Sequence, residues 1–202
     1  MPAIQFGEII ATYNRTLAES GCTAAGAHWE SQQRQLGRFD LLAGLFEGPF
    51  TLNDFGCGYG AFFDYASARL PIARYFGTDA TPAMINSARD RISDPRVTLE
   101  CATTVTRVAD YTVASGVFAL VGSNSRDRWH AWVLAALRNM WQFSRRGIGF
   151  NMLRFDAPGI NDDFYFGDPD EFKAWCQQHL STEVELLTPI GGNDWTILVR
   201  RP

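Results

Sequence analysis

The chain has 202 residues, 46% of them hydrophobic and 20% charged, so it can bury a sizeable core, and a single domain over residues 1–202 is expected. Its formal net charge of −4, from 18 basic and 22 acidic residues, disfavours a nucleic-acid backbone as the main partner, which calls for a basic face. No apolar run is long enough to span a bilayer, the first residues lack a basic region followed by an apolar segment, and the four cysteines (Cys22, Cys57, Cys101 and Cys176) form no Cys-x-x-Cys pair. The expectation is therefore a cytoplasmic protein with reduced thiols, no metal site and no membrane partner.

In chain order, residues 4–20 carry Ile4, Ile9, Ile10, Tyr13 and Leu17 at helical spacing, and Gly21 stops them. A second helix runs from Ser31 through Leu36, Phe39, Leu42 and Phe46 to the break at Gly48-Pro49. Residues 50–60 read F-T-L-N-D-F-G-C-G-Y-G, an apolar strand end followed by Asp54 and glycines at 56, 58 and 60. Ala61, Phe62, Tyr65 and Leu70 then open a helix. Strand, glycine turn and helix are how a doubly wound α/β sheet presents backbone N–H groups and a helix start to an anionic ligand.

A second strand over residues 73–78 ends at Asp79, 19 residues past Gly60, where a carboxylate can accept hydrogen bonds from both ribose hydroxyls. Asp79 equally reads as part of a helix start, with Thr81 as N-cap and Pro82 at the first helical position. Residues 96–101 form a third strand followed by Ala102 and Thr103, and residues 111–118 a fourth, with Ser115-Gly116 at its end. A long amphipathic helix follows Ser123-Asn124-Ser125 and ends at Arg146-Gly147, and residues 147–153 form a fifth strand. After an acidic and aromatic loop over residues 161–167, Asp168-Pro169 opens a last helix. Residues 184–190 and 195–199 then read as a hairpin, with Pro189, Gly191 and Gly192 in its turn.

The pattern Asp-x-Gly-x-Gly-x-Gly over 54–60, the acid at Asp79, the apolar fourth strand and the terminal strand pair together resemble a class I S-adenosylmethionine-dependent methyltransferase, over about residues 50–200. Ala-Ser-Gly-Val-Phe, Gly-Phe-Asn-Met-Leu and Asp-Pro-Asp-Glu-Phe resemble more narrowly a group of small bacterial methyltransferases of undefined substrate. The resemblance implies a Rossmann-like, doubly wound seven-stranded sheet, mostly parallel with an antiparallel last strand. Residues 1–48 would be a helical cap and 49–202 the cofactor-binding core. It implies a cofactor site of Asp54, Gly56, Cys57, Gly58, Gly60, Asp79, Ala80, Met84, Ala102, Thr103, Ser115 and Gly116. Loop N–H groups would meet the methionine carboxylate, Asp54 the ammonium and Asp79 the ribose. Where relatives carry an acid for the adenine, this chain has Thr103.

The acceptor is read as a small molecule. Trp29, Arg34 and Arg38 are its candidate contacts, with the two arginines suited to a carboxylate or phosphate. A solvated helix face accounts for the arginines equally, and packing under the cap for the tryptophan. His28, His130 and Tyr13 are the candidates for a general base, each with a packing role as its rival. His179 reads as a surface residue near a helix end. A module that binds the cofactor without transferring a methyl group is the alternative function. A nicotinamide dehydrogenase is disfavoured by the glycine spacing.

Overall fold

The computed structural model describes residues 3–154, 163–188 and 192–202. Helix α1 (Gly7–Ser20) stops where Gly21 takes φ 64° and donates its N–H to Leu17 O, a backbone conformation that strains any residue with a Cβ. A short 3-10 turn, Ala25–Ala27, leads to α2 (Gln32–Ala43), which opens on Ser31, whose hydroxyl accepts from Arg34 N at 3.2 Å.

The strands are β1 (Phe50–Phe55), β2 (Ile72–Asp79), β3 (Val97–Cys101), β4 (Ala109–Ala114), β5 (Ser144–Arg154), β6 (Phe166–Gly167), β7 (Val184–Leu187) and β8 (Asp194–Arg200). They lie in the order β3-β2-β1-β4-β5-β8-β7, with the two-residue β6 against the end of β5. The order reverses between β1 and β4, and the carboxyl ends of those strands flank the crevice in which open α/β sheets bind ligands. β8 runs antiparallel to both of its neighbours, while β1 to β5 are mutually parallel. The expected architecture is present, with β6 as an addition that the sequence did not announce.

The remaining helices, α3 (Ala61–Ser67), α4 (Pro82–Arg91), α5 (Arg126–Gln142) and α6 (Pro169–His179), cover the sheet. Alternation along the strands sorts the core into two layers. Phe50 and Leu52 of β1 pack with Phe39 and Leu42 of α2 and Phe62 and Ala66 of α3. Phe55 of β1 and Ile148, Phe150 and Met152 of β5 pack with Trp129 and Trp132 of α5 and Phe172 of α6. The glycines of β5 are what allow its other neighbours so close. A Cβ at Gly147 would sit 2.5 Å from the Val199 carbonyl oxygen on β8.

Some boundaries differ from expectation. β4 ends at Ala114, and Ser115 to Phe118 form a turn in which Gly116 takes φ 74°. Apolar content alone extended that strand too far, because a buried turn is as apolar as a buried strand. α5 stops at Gln142, and β5 starts at Ser144, because Ser144 and Arg145 enter the ladder beside β4 instead of continuing the helix. Asp168 caps α6 as expected, accepting from Asp170 N and Glu171 N. Thr81 stands at the N-cap of α4 without a side-chain capping bond. Pro189, Gly191 and residues 161–162 lie outside the described residues.

Replacing Gly147 by Ala should lower stability by about 1–3 kcal/mol, since the clash is with backbone that carries the β5–β8 ladder. Gly37→Ala, inside α2 where a new Cβ would meet nothing within 4 Å, should raise it by about 0.5–1 kcal/mol. Thermal denaturation of both variants checks the pair, and a Gly147 variant that melts with the wild type would contradict this account of β5.

Candidate functional site

A cleft of about 910 Å³, part of it open to solvent, lies at the carboxyl ends of β1 and β4. Its floor is the turn after β1. Gly56, Gly58 and Gly60 all take positive φ, at 76°, 55° and 89°. A Cβ on Gly56 would strike Val117 at 2.4 Å and one on Gly60 would strike Ile92 at 2.4 Å, so those two glycines let neighbouring elements close on the turn. A Cβ on Gly58 would meet only Met84 Sδ at 4.0 Å, which leaves that face of the loop open to the cleft.

The N–H groups of Gly56, Cys57, Gly58 and Gly60 are engaged within the protein. Gly56 N and Cys57 N donate to Thr78 O at 2.7 and 3.0 Å, Gly60 N to Cys57 O at 2.9 Å, and Gly58 N to Asp79 Oδ2 at 2.9 Å. The turn is a steric cradle held in shape by the strand beside it.

Asp79 closes this arrangement. One carboxylate oxygen accepts from Gly58 N and the other from Thr81 N at 2.7 Å, so a single side chain ties the glycine turn to the start of α4. The reading of Asp79 as part of a helix start holds. It organises the turn and the helix start, and these two backbone contacts do not exhaust a carboxylate's acceptor capacity. Burial raises its pKa, opposed by the hydrogen bonds from Thr81 and Gly58. Asp54 lies deeper, 2% exposed, and accepts from Tyr75 Oη at 2.5 Å. Burial lifts its pKa to about 7, the Tyr75 hydrogen bond opposes this, and the charge of Asp79 adds to it.

Of the residues expected around a cofactor, Asp54, Gly56, Cys57, Gly58, Asp79, Ala80, Met84, Ala102, Thr103, Ser115 and Gly116 all border the cleft. Gly60 does not, serving instead as the N-cap of α3. Cys57 is buried with its sulfur against Gly77, where a Cβ would come within 2.9 Å, and burial followed by the charges of Asp54 and Asp79 raises its pKa well above the ordinary thiol value. It is a filler of the turn and not a nucleophile. All four cysteines are free.

Two residues escaped the sequence reading. Asn151, buried in β5, donates to Ser115 Oγ at 3.1 Å and accepts from Gly116 N at 2.9 Å, pinning the turn after β4. Its signal was available, since an amide in the middle of an apolar strand needs partners. Gln35, buried in α2, also borders the cleft. It was hidden among the polar residues of a half-exposed helix.

The candidates for proton transfer separate. His130 does not reach the cleft: its Nδ1 lies 2.6 Å from Tyr165 Oη and its Nε2 3.8 Å from Glu171. α5 turns that side chain toward α6, which corrects the expectation that it reaches the pocket. Tyr13 borders the cleft, but burial and then the charge of Asp79 push its pKa upward, so it stays protonated at neutral pH and is no base.

His28 is the single non-glycine with positive φ among the described residues, at 60°. It borders a second chamber of about 740 Å³ that shares Tyr13, Ala27, Trp29 and Gly116 with the first. Burial, then the charge of Arg15, lowers its pKa, so the imidazole is neutral at pH 7. Trp29 stands between the chambers, its ring against Gly116, where a Cβ would come within 2.8 Å. Arg34 and Arg38 border the second chamber and not the first.

A family model described as a methyltransferase domain matches residues 53–147. The Mycobacterium tuberculosis protein named "Putative methyltransferase Rv1506c" is 39% identical over 156 residues, covering 76% of this chain and 94% of that protein. The chain belongs to the class I S-adenosylmethionine-dependent methyltransferases. Among solved structures, the magnesium protoporphyrin IX methyltransferase of Synechocystis PCC 6803 with bound S-adenosylmethionine superposes with a TM-score of 0.63 at 12% identity, over the whole of both chains. The methyltransferase SibL in its apo form superposes with a TM-score of 0.66 at 17% identity, over 94% of this chain and 62% of that one. At such identities the two structures attest the shared fold. The methyltransferase chain described above is thus an enzyme, and S-adenosylmethionine is its cofactor. No helix of the described residues is long and apolar enough to cross a membrane.

The raised pKa of Asp54 has a signed consequence for stability. The folded carboxyl holds its proton up to about pH 7, whereas the unfolded one releases it near the ordinary value of 3.8. Stability from this group is therefore greatest below pH 4, falls as the pH rises from about 4 to 7, and is level above that. Asp54→Asn should flatten the decline of melting temperature over this window relative to wild type. Parallel pH profiles for the two proteins would refute the assignment.

Proposed function

We propose that this methyltransferase acts on a small-molecule acceptor by in-line displacement, the cofactor lying in the first cleft and the acceptor approaching through the second chamber. The observation that carries the reading is the shared wall. Two chambers meet at Trp29 and Gly116, on the side of the cleft where the turn after β4 ends.

The residues of the first cleft suit the cofactor. The open face of Gly58 accepts a ligand in contact with backbone, Asp79 has acceptor capacity left for ribose hydroxyls, and Asp54 offers a carboxylate to an ammonium. Ala80, Met84, Ala102 and Thr103 would border the adenine, and Ser115, held by Asn151, the methionine end. Bound S-adenosylmethionine supplies a methyl group already made electrophilic by its sulfonium. The protein's work is therefore alignment and exclusion of water. Residues 1–48 contribute Ile9, Tyr13, Trp29, Gln35 and Phe39 to the cleft wall, in keeping with a cap that closes over the reactants.

An acceptor whose nucleophile carries a proton must lose it, and His28 is our choice for the group that takes it. It borders the acceptor chamber, burial keeps it neutral, and its left-handed backbone is the kind of local strain that gathers at working sites.

Calorimetry with S-adenosylhomocysteine tests the cofactor site. Wild type should bind it, and Asp79→Ala should bind at least about tenfold more weakly, the equivalent of about 1.4 kcal/mol. No binding by wild type would sink the whole reading, and equal affinity in the variant would remove Asp79 from it. His28→Asn, which tolerates the same backbone conformation, should lower kcat by at least about tenfold while KM stays within about twofold, and should remove the acid limb of the pH–rate profile. Unchanged kcat would return His28 to a packing role.

A further inference from the structure

The second chamber holds charges that the methyl-transfer reading leaves unused. Arg38 is the most telling. Its side chain is 12% exposed, Trp29 covers one face of its guanidinium with 4.3 Å from Cζ to the ring centroid, and Asp194 engages it through Nε. A guanidinium offers five N–H donors in a rigid fork, and a single contact through Nε leaves most of them over. The two Nη groups make no hydrogen bond to a described residue, and Arg38 borders the chamber. Holding a cation in so dry a place is costly unless further acceptors meet it.

One helical turn earlier, Arg34 borders the same chamber. Its partner there is Glu30, at 3.1 Å, whose side chain is 71% exposed. An exposed i,i+4 pair of this kind contributes little, so a ligand oxyanion can displace Glu30 at small cost. Leu120, Leu153 and Phe164 add apolar surface to the same chamber, which Glu30 also borders. Cationic forks and hydrocarbon in one chamber suit an amphipathic acid.

We propose that the acceptor of this enzyme carries an oxyanion group, a carboxylate or a phosphate, on an apolar body, and that Arg38 and Arg34 clamp that group while Trp29, held flat by Arg38, orients the body toward Gly116. The proposal rests on the reading of the second chamber as the acceptor site. It makes the arginines specificity determinants, and it gives the Arg38–Asp194 pair a purpose: the aspartate fixes the plane of the fork and offsets part of its charge, so that a bound acid is held but released after transfer.

The test uses the full chain saturated with S-adenosylhomocysteine, with benzoate, phenyl phosphate and the neutral benzamide as probes in calorimetry. At least one acid should bind, and benzamide should bind at least about tenfold more weakly. Binding by benzoate alone assigns a carboxylate, and by phenyl phosphate alone a phosphate. Arg34→Gln and Arg38→Gln should each weaken the acid by about tenfold, and Asp194→Asn, which removes the competing anion, should tighten it. Arg34→Gln and Asp194→Asn move the affinity in opposite directions, so loss of fold cannot mimic the pattern, and unchanged affinity for S-adenosylhomocysteine in both verifies that the core is intact. Binding of no probe, equal binding of benzamide, or acid affinity indifferent to all three substitutions overturns the clamp while leaving the methyltransferase reading in place. Failure of wild type to bind S-adenosylhomocysteine strikes the underlying reading instead.

Discussion

Asp79 joins three parts of the molecule through one carboxylate. Its oxygens hold the amide of Gly58 and the amide of Thr81, so the glycine turn after β1 and the first turn of α4 cannot move independently of the end of β2. The geometry of the cleft depends on that tie. With it in place, Gly56 lies against Val117 and Gly60 against Ile92 at distances that exclude any side chain, and the bend has a single shape. The turn is then a rigid surface and not a loop waiting to be organised by a ligand, which is the preorganisation that alignment-driven catalysis requires.

The opposite wall follows the same logic with different chemistry. Asn151 satisfies the backbone of Gly116 and the hydroxyl of Ser115 from the neighbouring strand, and Trp29 fills the space that the missing side chain of Gly116 leaves. Loss of that amide would leave a buried N–H unpaired at a cost of about 1–3 kcal/mol. Both walls are thus fixed by buried polar groups that bind backbone, and the acids that line the cleft carry raised pKa values because the surroundings that hold them are dry.

Much of this is written in local sequence. The glycine spacing, Asp79 beyond the second strand and the Asp168-Pro169 helix start are each set by neighbours a few residues away, so they are visible without a structure. What is not visible depends on contacts distant in the chain. The amides of Gly56, Cys57 and Gly58 are held by Thr78 and Asp79, which no motif reveals. His130 points to Tyr165 and Glu171 because of the rotation of α5 on the sheet, whereas His28 faces the second chamber through a backbone conformation that residue type does not foretell. Arg38 lies buried against Asp194, 156 residues further on, in what reads from the sequence as a polar helix face.

The placement of β8 bears on how the chain comes to be assembled. β5, the longest strand, has β4 on one side and receives its other full-length neighbour only when Asp194–Arg200 arrives, and β7, made earlier, pairs with nothing but β8. Until Asp194–Arg200 has left the ribosome, the nascent sheet therefore presents a flank of an apolar strand, together with the hydrophobic bed meant for Trp195, Ile197 and Val199. Asp194–Arg200 works as a keystone, joining β5 to β7 and completing the sheet.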